Sequence, residues 1–317
     1  MSKLIKKDIN VVIIGAGYMA EEYIRVIKSF KNLKTYGIYS RTNFKAKNLS
    51  KKYKIKKIFS SINEIKKDKI IDIVIIAISS ENNNKISKFF LNTKFLILLE
   101  KPVGLNFSES KRLIDLTRKY RSKFYVALNR RFYDSTLELK KKLKKSQGKR
   151  IIEVFDCQNQ NIYKKLRKDR RVVNSIMYAN SIHLIDYFDM FCRGKIIKIT
   201  TLKSSRENPD VITSKLKFSS GDVGFYYATW NRFSRWKIKI TVKNKTEWVM
   251  QPLETLRGYK FKNNKLFFSK IYKSKYKDGL VNMLNEVKKA MFERKNNLVI
   301  LKHHLNTIQI INKIYGK

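Results

Sequence analysis

Residues 9–14 (Ile-Asn-Val-Val-Ile-Ile) lead directly into Gly15-Ala16-Gly17-Tyr18-Met19-Ala20. A short aliphatic, β-branched run of this kind marks a strand buried on both faces, as parallel strands are. The six residues after it fit G-x-G-x-x-A. In that pattern the first glycine permits a tight turn, the second lets backbone approach a pyrophosphate, and the small third residue lets helix and strand pack closely. A helix starting at the turn aims free N–H groups and its positive dipole end at the phosphates. The motif alone is weak. A strand before it, a helix over about 18–30 after it and more strands beyond give it the context of a dinucleotide-binding βαβ unit rather than of packing glycines.

The elements downstream continue that plan. Residues 33–40 read as a strand and 43–53 as a helix. Residues 72–78 (Asp-Ile-Val-Ile-Ile-Ala-Ile) give the strongest buried-strand pattern, followed by strands at 95–99 and 124–128. Between the last two, a helix over 110–120 is opened by Asn106 with Glu109 three residues on, a capping box. Strands alternating with helices specify a doubly wound parallel sheet. The pattern changes near residue 130. Strands are expected at 151–157, 195–203, 213–218, 223–230 and 236–243, most of them following one another without helices, and helices at 174–191, 279–292 and 302–314. This is an α/β chain: a Rossmann domain over 1–127, then an α+β domain with a largely antiparallel sheet over 128–317.

Composition narrows the function classes. Apolar residues make up 43% of the chain and only three prolines occur, so two real cores are affordable and long disordered linkers are not expected. No stretch of eighteen apolar residues appears, so no membrane insertion is expected. The start, Met1 to Lys7, lacks the apolar segment of a secretory leader. Two cysteines, Cys157 and Cys192, without metal spacing fit reduced thiols and a cytoplasmic location, and no metal site is expected. Seventy-one Lys and Arg against 25 Asp and Glu give a net charge of +46. That charge suits a polyanion partner, but compositional drift that also enriches Ile, Asn and Tyr, with a solvated surface, accounts for it better. The basic residues are scattered, the densest run (140–150) is short, and no nucleic-acid motif is present, so no specific nucleic-acid partner is expected.

Two further segments refine the site. An acidic residue at the end of the second strand would bind the ribose 2′-hydroxyl of NAD. Here the chain reads Tyr39-Ser40-Arg41-Thr42, and Ser40 with Arg41 suits a 2′-phosphate, favouring NADP over NAD. Glu100-Lys101-Pro102 lies at the carboxyl end of a strand, where open α/β sheets bind ligands. Asn82, Asn83 and Asn84 follow another strand and could touch the same ligands, although such runs are usually turn residues.

With these segments, Asn129-Arg130-Arg131-Phe132 and Asn180-Ser181-Ile182-His183-Leu184-Ile185-Asp186 make the chain resemble the glucose–fructose oxidoreductase/inositol dehydrogenase/MocA (Gfo/Idh/MocA) family over nearly its whole length. The resemblance implies a Rossmann domain and an open-sheet second domain whose C-terminal helix packs back on the first. It implies NAD(P)-dependent oxidation or reduction at a sugar carbon, and dimers or tetramers of identical chains. The substrate it implies is a sugar or nucleotide-linked sugar, with a place in surface-polysaccharide synthesis. Gly15 to Ala20 and Glu100 to Pro102, with Ser40 and Arg41 from the second strand, are the cofactor candidates, and the resemblance assigns Lys101 and His183 to catalysis. Asn129, Arg130, Arg131, Asn180 and His183 go to the substrate, with Arg130 and Arg131 suited either to a phosphate-bearing substrate or to a structural ion pair. Asn180, His183 and Asp186, spaced i, i+3, would share one helical face. His183 is one of three histidines, with His303 and His304 near the C-terminus. Tyr163, Trp230 and Trp236 are candidates for lining a sugar pocket, or for core. One departure stands out. Many members carry an aspartate one turn before the histidine, where this chain has Ala179 and Asn180, and an amide is no general base. That departure motivates an alternative: a non-catalytic dinucleotide- or sugar-binding regulatory protein of the same fold.

Overall fold

The computed structural model describes residues 8–205, 210–232, 234–243, 245–260, 262–292 and 294–316. The leader-free reading of Met1 to Lys7 lies outside the described residues. The chain divides into two compact units, residues 1–129 with 280–305, and residues 130–279 with 306–317. The break falls two residues after the expected one at 127/128. A 26-residue segment expected in the second domain belongs to the first unit.

The first unit is built from β1 (Ile9–Ile14), α1 (Tyr18–Ile27), β2 (Leu33–Tyr39), α2 (Asn43–Tyr53), β3 (Lys57–Ile58), α3 (Ile62–Lys67), β4 (Ile73–Ile76), α4 (Ser80–Lys88), β5 (Leu96–Glu100), α5 (Phe107–Lys119) and β6 (Phe124–Ala127). β3 to β1 to β6 form a parallel sheet in the order β3-β2-β1-β4-β5-β6. The order reverses between β1 and β4, so the carboxyl ends of those two strands flank the topological switch point. Val11, Val12, Ile13 and Ile14 are all buried, so β1 is covered on both faces. Each contributes roughly 1.5–3 kcal/mol of burial. The side chain of Asn106 caps α5 by accepting from the Glu109 N–H, and the Glu109 carboxylate accepts from the Leu105 N–H in return.

The second unit begins with a short 3-10 turn, Asn129–Phe132, whose first residue still belongs to the first unit. It continues through α6 (Asp134–Lys144), β7 (Arg150–Gln158), α7 (Gln160–Lys165), α8 (Arg170–Asn174), a π-helical turn (Met177–Ser181) and α9 (Ile182–Phe191). Then follow β8 (Ile196–Lys203), β9 (Val211–Phe218), β10 (Val223–Trp230), β11 (Lys237–Val242), β12 (Thr246–Met250), β13 (Thr255–Lys260) and β14 (Leu266–Ile271). The sheet order is β14-β13-β12-β11-β7-β10-β9-β8, antiparallel except that β7 and β10 run parallel. Ile152 and Val154 of β7 and Tyr226 and Ala228 of β10 are buried on one face, while Phe155, Phe225 and Tyr227 alternate onto the other. The chain then returns to the first unit with α10 (Leu280–Met291) and β15 (Val299–Ile300), which adds an antiparallel edge to β6. In the last helix, α11 (Leu301–Tyr315), residues 301–305 count with the first unit and the remainder with the second. No helix among the described residues is long and apolar enough to cross a membrane.

Candidate functional site

The glycine turn is fixed by the two strands that flank it. The Gly15 N–H donates to the Tyr39 carbonyl at 2.8 Å, and the Ala77 N–H donates to the Ile14 carbonyl at 2.8 Å. Gly15 has φ +120°, and a Cβ built there would lie 2.1 Å from the Ala77 carbonyl oxygen. Only glycine fits, because the obstacle is backbone and cannot swing away. Gly17 is the opposite case: a Cβ there would meet nothing within 4 Å. It is the N-cap of α1, in an extended conformation and with no side-chain cap. The space beside Gly17 at the start of α1 is therefore open, an arrangement suited to a dinucleotide's phosphates. Ala20 is fully buried and keeps α1 close to the sheet. Tyr18 is exposed and Met19 and Ala16 are half-buried around the turn.

The end of β2 carries the two residues expected to select the cofactor. The Ser40 hydroxyl accepts the Thr42 N–H at 3.2 Å, and Arg41 is exposed with no ion pair or hydrogen bond among the described residues. At the end of β5, Glu100 turns inward. Its carboxylate accepts the Tyr23 hydroxyl at 2.6 Å, tying α1 to β5 just beyond the glycine turn. Burial, then the Glu100 charge, pushes the Tyr23 hydroxyl well above its ordinary range, so Tyr23 stays a donor. Glu100 thus positions the turn from within. Lys101 follows it, half-buried, and joins Pro102 through a cis peptide bond.

The asparagine run is not a loop. It lies on α4, and the Asn83 amide donates to the carbonyls of Glu100 and Pro102 at 3.0 and 3.1 Å. Asn84 donates to the carbonyls of Val103 and Glu109. Together they clamp the Glu-Lys-Pro segment from behind. Asn82 bonds locally, to Ser79 and Glu81.

In the second unit, Asn180 belongs to the π-helical turn, and His183, 7% exposed, sits in the first turn of α9. His183 and Asp186 keep the expected i, i+3 spacing within α9, while Asn180 lies in the wider turn before it; such turns are frequent at functional sites. Asp186 is drawn into an ion pair. Arg131 meets its carboxylate with two bonds of 2.6 Å and reaches Asp189 with a third, and the Thr307 hydroxyl adds a bond of 3.0 Å. Arg131, expected among the substrate ligands, is thus committed to two aspartates. Burial opposes its charge, and the two carboxylates more than offset that. Arg130, its neighbour, stacks its guanidinium 4.1 Å from the centroid of Trp236. Trp230 is core, packed on Tyr315, and Asn129 is buried.

One group escaped the sequence reading. The Asn180 amide donates to the Gln158 side-chain oxygen at 2.9 Å. Gln158 donates in turn to Asp156 at 2.6 Å, and Asp156 accepts the Tyr226 hydroxyl at 2.6 Å; that hydroxyl also meets the Tyr315 hydroxyl at 2.7 Å. Asp156 is 1% exposed. Burial pushes its carboxyl up, against the pull of its hydrogen bonds. Tyr163, on α7, is pushed up by burial and by the nearby Asp156 charge. The signal was there to find: in β7, period two places Asp156 and Gln158 on the same face as Ile152 and Val154, and polar residues on a buried face need partners. No group of three or more His, Cys, Asp or Glu that could hold a metal ion occurs among the described residues.

Residues 9–128 match the model of an oxidoreductase family with an NAD-binding Rossmann fold. The first domain belongs to the Gfo/Idh/MocA family. A trans-1,2-dihydrobenzene-1,2-diol dehydrogenase of Danio rerio is 23% identical over 133 residues, spanning 41% of this chain and 40% of that protein. Among solved structures, an oxidoreductase from Agrobacterium radiobacter in complex with NAD+, L-tartaric acid and magnesium superposes with TM-score 0.81 at 13% identity, over 98% of this chain and 96% of its own. A UDP-N-acetylglucosamine 3-dehydrogenase from Acidithiobacillus ferrooxidans gives TM-score 0.77 at 13% identity, over 98% and 97%. At such identities these likenesses establish the fold of both domains and nothing finer.

Proposed function

We propose that the protein is an NAD(P)-dependent oxidoreductase that transfers a hydride between nicotinamide and a carbinol carbon of a sugar or nucleotide-linked sugar, with NADP preferred. The observation that carries the reading is the pair of glycines: Gly15 locked beneath Ala77 and Gly17 facing open space at an uncapped helix start. When bound, the nicotinamide supplies hydride acceptance or donation. The backbone of Gly15 to Ala20 binds the pyrophosphate, and Ser40 and Arg41 receive the 2′-phosphate. Lys101, braced by Asn83 and Glu100, polarises the reacting hydroxyl through its Nζ, and the His183 imidazole exchanges that hydroxyl's proton. The Asn180 amide, held by Gln158, orients a substrate hydroxyl without acting as base. Asn129 and Arg130 complete the substrate contacts.

The protein would work in the cytoplasm, where the free thiols of Cys157 and Cys192 stay reduced. It would assemble as a homo-oligomer through the sheet face bearing Phe155, Phe225 and Tyr227. Surface-polysaccharide synthesis is the setting that the family resemblance suggests. Fluorescence titration with NADPH and NADH tests the cofactor, and turnover of NADP+ across a panel of nucleotide sugars tests the reaction. A second reading, a nucleotide-binding protein without turnover, is favoured by Ala179 and Asn180 standing where a base is usual and by Asp156 lying buried behind them. Tight NADPH binding with no turnover across the panel would support it and sink the first.

A further inference from the structure

The second unit contains a cavity of about 780 Å³ bordered by Arg130, Arg235, Arg257, Tyr133 and Trp236, with Glu254 the one carboxylate in its wall. That volume lies within the usual range of small-molecule sites, roughly 300–1,000 Å³. We propose that this cavity recognises the diphosphate of a nucleoside-diphosphate-linked substrate. The inference rests on the reading that the substrate is a nucleotide-linked sugar, and it supplies the residues that would select that class.

Several other arginines of this chain are held by carboxylates. Arg131 is held by Asp186 and Asp189, Arg193 by Asp222, Arg232 by Asp210 and Arg171 by Asp169. The cavity arginines have no such partners. Nη1 of Arg130 is buried and makes no hydrogen bond among the described residues. Arg235 is exposed and makes no ion pair or hydrogen bond among them. Arg257 has a single long bond, 3.4 Å from Nη1 to the Gln251 carbonyl. Three guanidinium groups against one carboxylate leave a surplus of positive charge, and a desolvated donor with no acceptor is costly until an anion arrives. Guanidinium forks match phosphate oxygens two at a time, which lysines on an ordinary basic surface do not.

The aromatic wall supports the same ligand. Trp236 is fixed by its Nε1–H, which donates to the Cys157 carbonyl at 2.9 Å, and by the Arg130 guanidinium stacked on its ring. Tyr133 lies beside Arg130, whose charge opposes the upward push of burial on the Tyr133 hydroxyl. A rigid indole beside arginines offers a stacking surface for a base or ribose. Arg130, in the cavity wall, lies close enough to Asp156 for its charge to favour that carboxylate, so the cavity adjoins the hydrogen-bonded chain that holds Asn180. A diphosphate held here leaves its sugar within the same unit as Asn180 and His183.

The test is calorimetric titration of the NADP+-saturated protein with UDP, with uridine alone and with inorganic pyrophosphate. UDP should bind and uridine should not, with pyrophosphate weaker than UDP. Arg235→Ala, at an exposed position that leaves the fold intact, and Arg235→Ala with Arg257→Ala should weaken UDP by at least about tenfold, about 1.4 kcal/mol for the double variant. Their NADPH affinity should be unchanged. No UDP binding, or equal UDP affinity in the variants, overturns the inference, as does uridine binding as well as UDP. Failure of NADPH binding in the same samples would instead count against the proposed function, because the UDP titration also runs without cofactor.

Discussion

Gly15 and Gly17 stand two residues apart, yet replacing each by alanine should produce opposite signatures. At Gly15 the new methyl would sit 2.1 Å from the Ala77 carbonyl oxygen, and the backbone has φ +120°. Holding a non-glycine residue in such a conformation costs about 1–3 kcal/mol. Forcing an extra carbon against fixed backbone costs about 1–3 kcal/mol more. The sum, about 2–6 kcal/mol, translates at roughly 2–4 °C per kcal/mol into a fall in Tm of about 4–24 °C. At Gly17, φ is −95° and a Cβ meets nothing within 4 Å. Alanine there restricts the unfolded chain and leaves stability level or raised by about 0.4–1 kcal/mol. Its methyl occupies the space through which a phosphate approaches the helix start, so NADPH affinity should fall at least about tenfold. The assays are a thermal melt of each variant and a fluorescence titration with NADPH. If Gly17→Ala binds NADPH as the unaltered protein does, the reading of the turn as a phosphate cradle fails. If Gly15→Ala melts normally, the close approach to Ala77 is not what fixes glycine there.

Arg41→Ala should erase the preference for NADPH over NADH in a fluorescence titration and leave NADH affinity within about twofold; equal affinities in the unaltered protein would remove the basis for the expectation. Lys101→Met should cut kcat by about 10²–10⁴-fold while NADPH still binds; steady-state turnover on a substrate found by the panel checks this, and unchanged kcat would exclude Lys101 from the chemistry. Arg131→Ala leaves the buried Asp186 carboxylate without its ion-pair partner, and should cost about 3–5 kcal/mol in urea unfolding; a loss confined to KM would show that Arg131 binds substrate after all. Asp156 has its folded-state pKa raised by burial, so its contribution is present at pH below the ordinary carboxylate value of 3.8 and is lost as pH rises through the folded value. Asp156→Asn should flatten that descending limb in a series of urea midpoints against pH, and a wild-type curve without the limb would contradict the shift.

Much of the fold was legible because it rests on local signals. The G-x-G-x-x-A turn, the aliphatic runs of β1 and β4 and the Asn106–Glu109 cap each concern residues within a few positions of one another. Period two in β7 and β10 showed which faces are buried. β12, β13 and β14 were missed: Thr246–Met250, Thr255–Lys260 and Leu266–Ile271 are short or lysine-bearing strands near a sheet edge, where burial imposes little pattern on sequence. The helix α4 was missed because three asparagines resemble a turn until their amides are seen spanning to the Glu-Lys-Pro segment.

By itself the sequence determined that β1 must be buried on both faces and that Gly15 must turn tightly after it, because chain chirality and side-chain chemistry settle those locally. It carried the family resemblance in four separated segments. Only the tertiary structure decided which charges are already spent. Arg131 and Arg130 are adjacent in sequence, yet one is neutralised by Asp186 and Asp189 while the other has a buried nitrogen with no hydrogen-bond acceptor among the described residues. Likewise only folding brings Asp156 behind Asn180 through Gln158. The physical reason is the same in each case: electrostatic partners are chosen by distance through space, and a strand and a helix remote in sequence supply them.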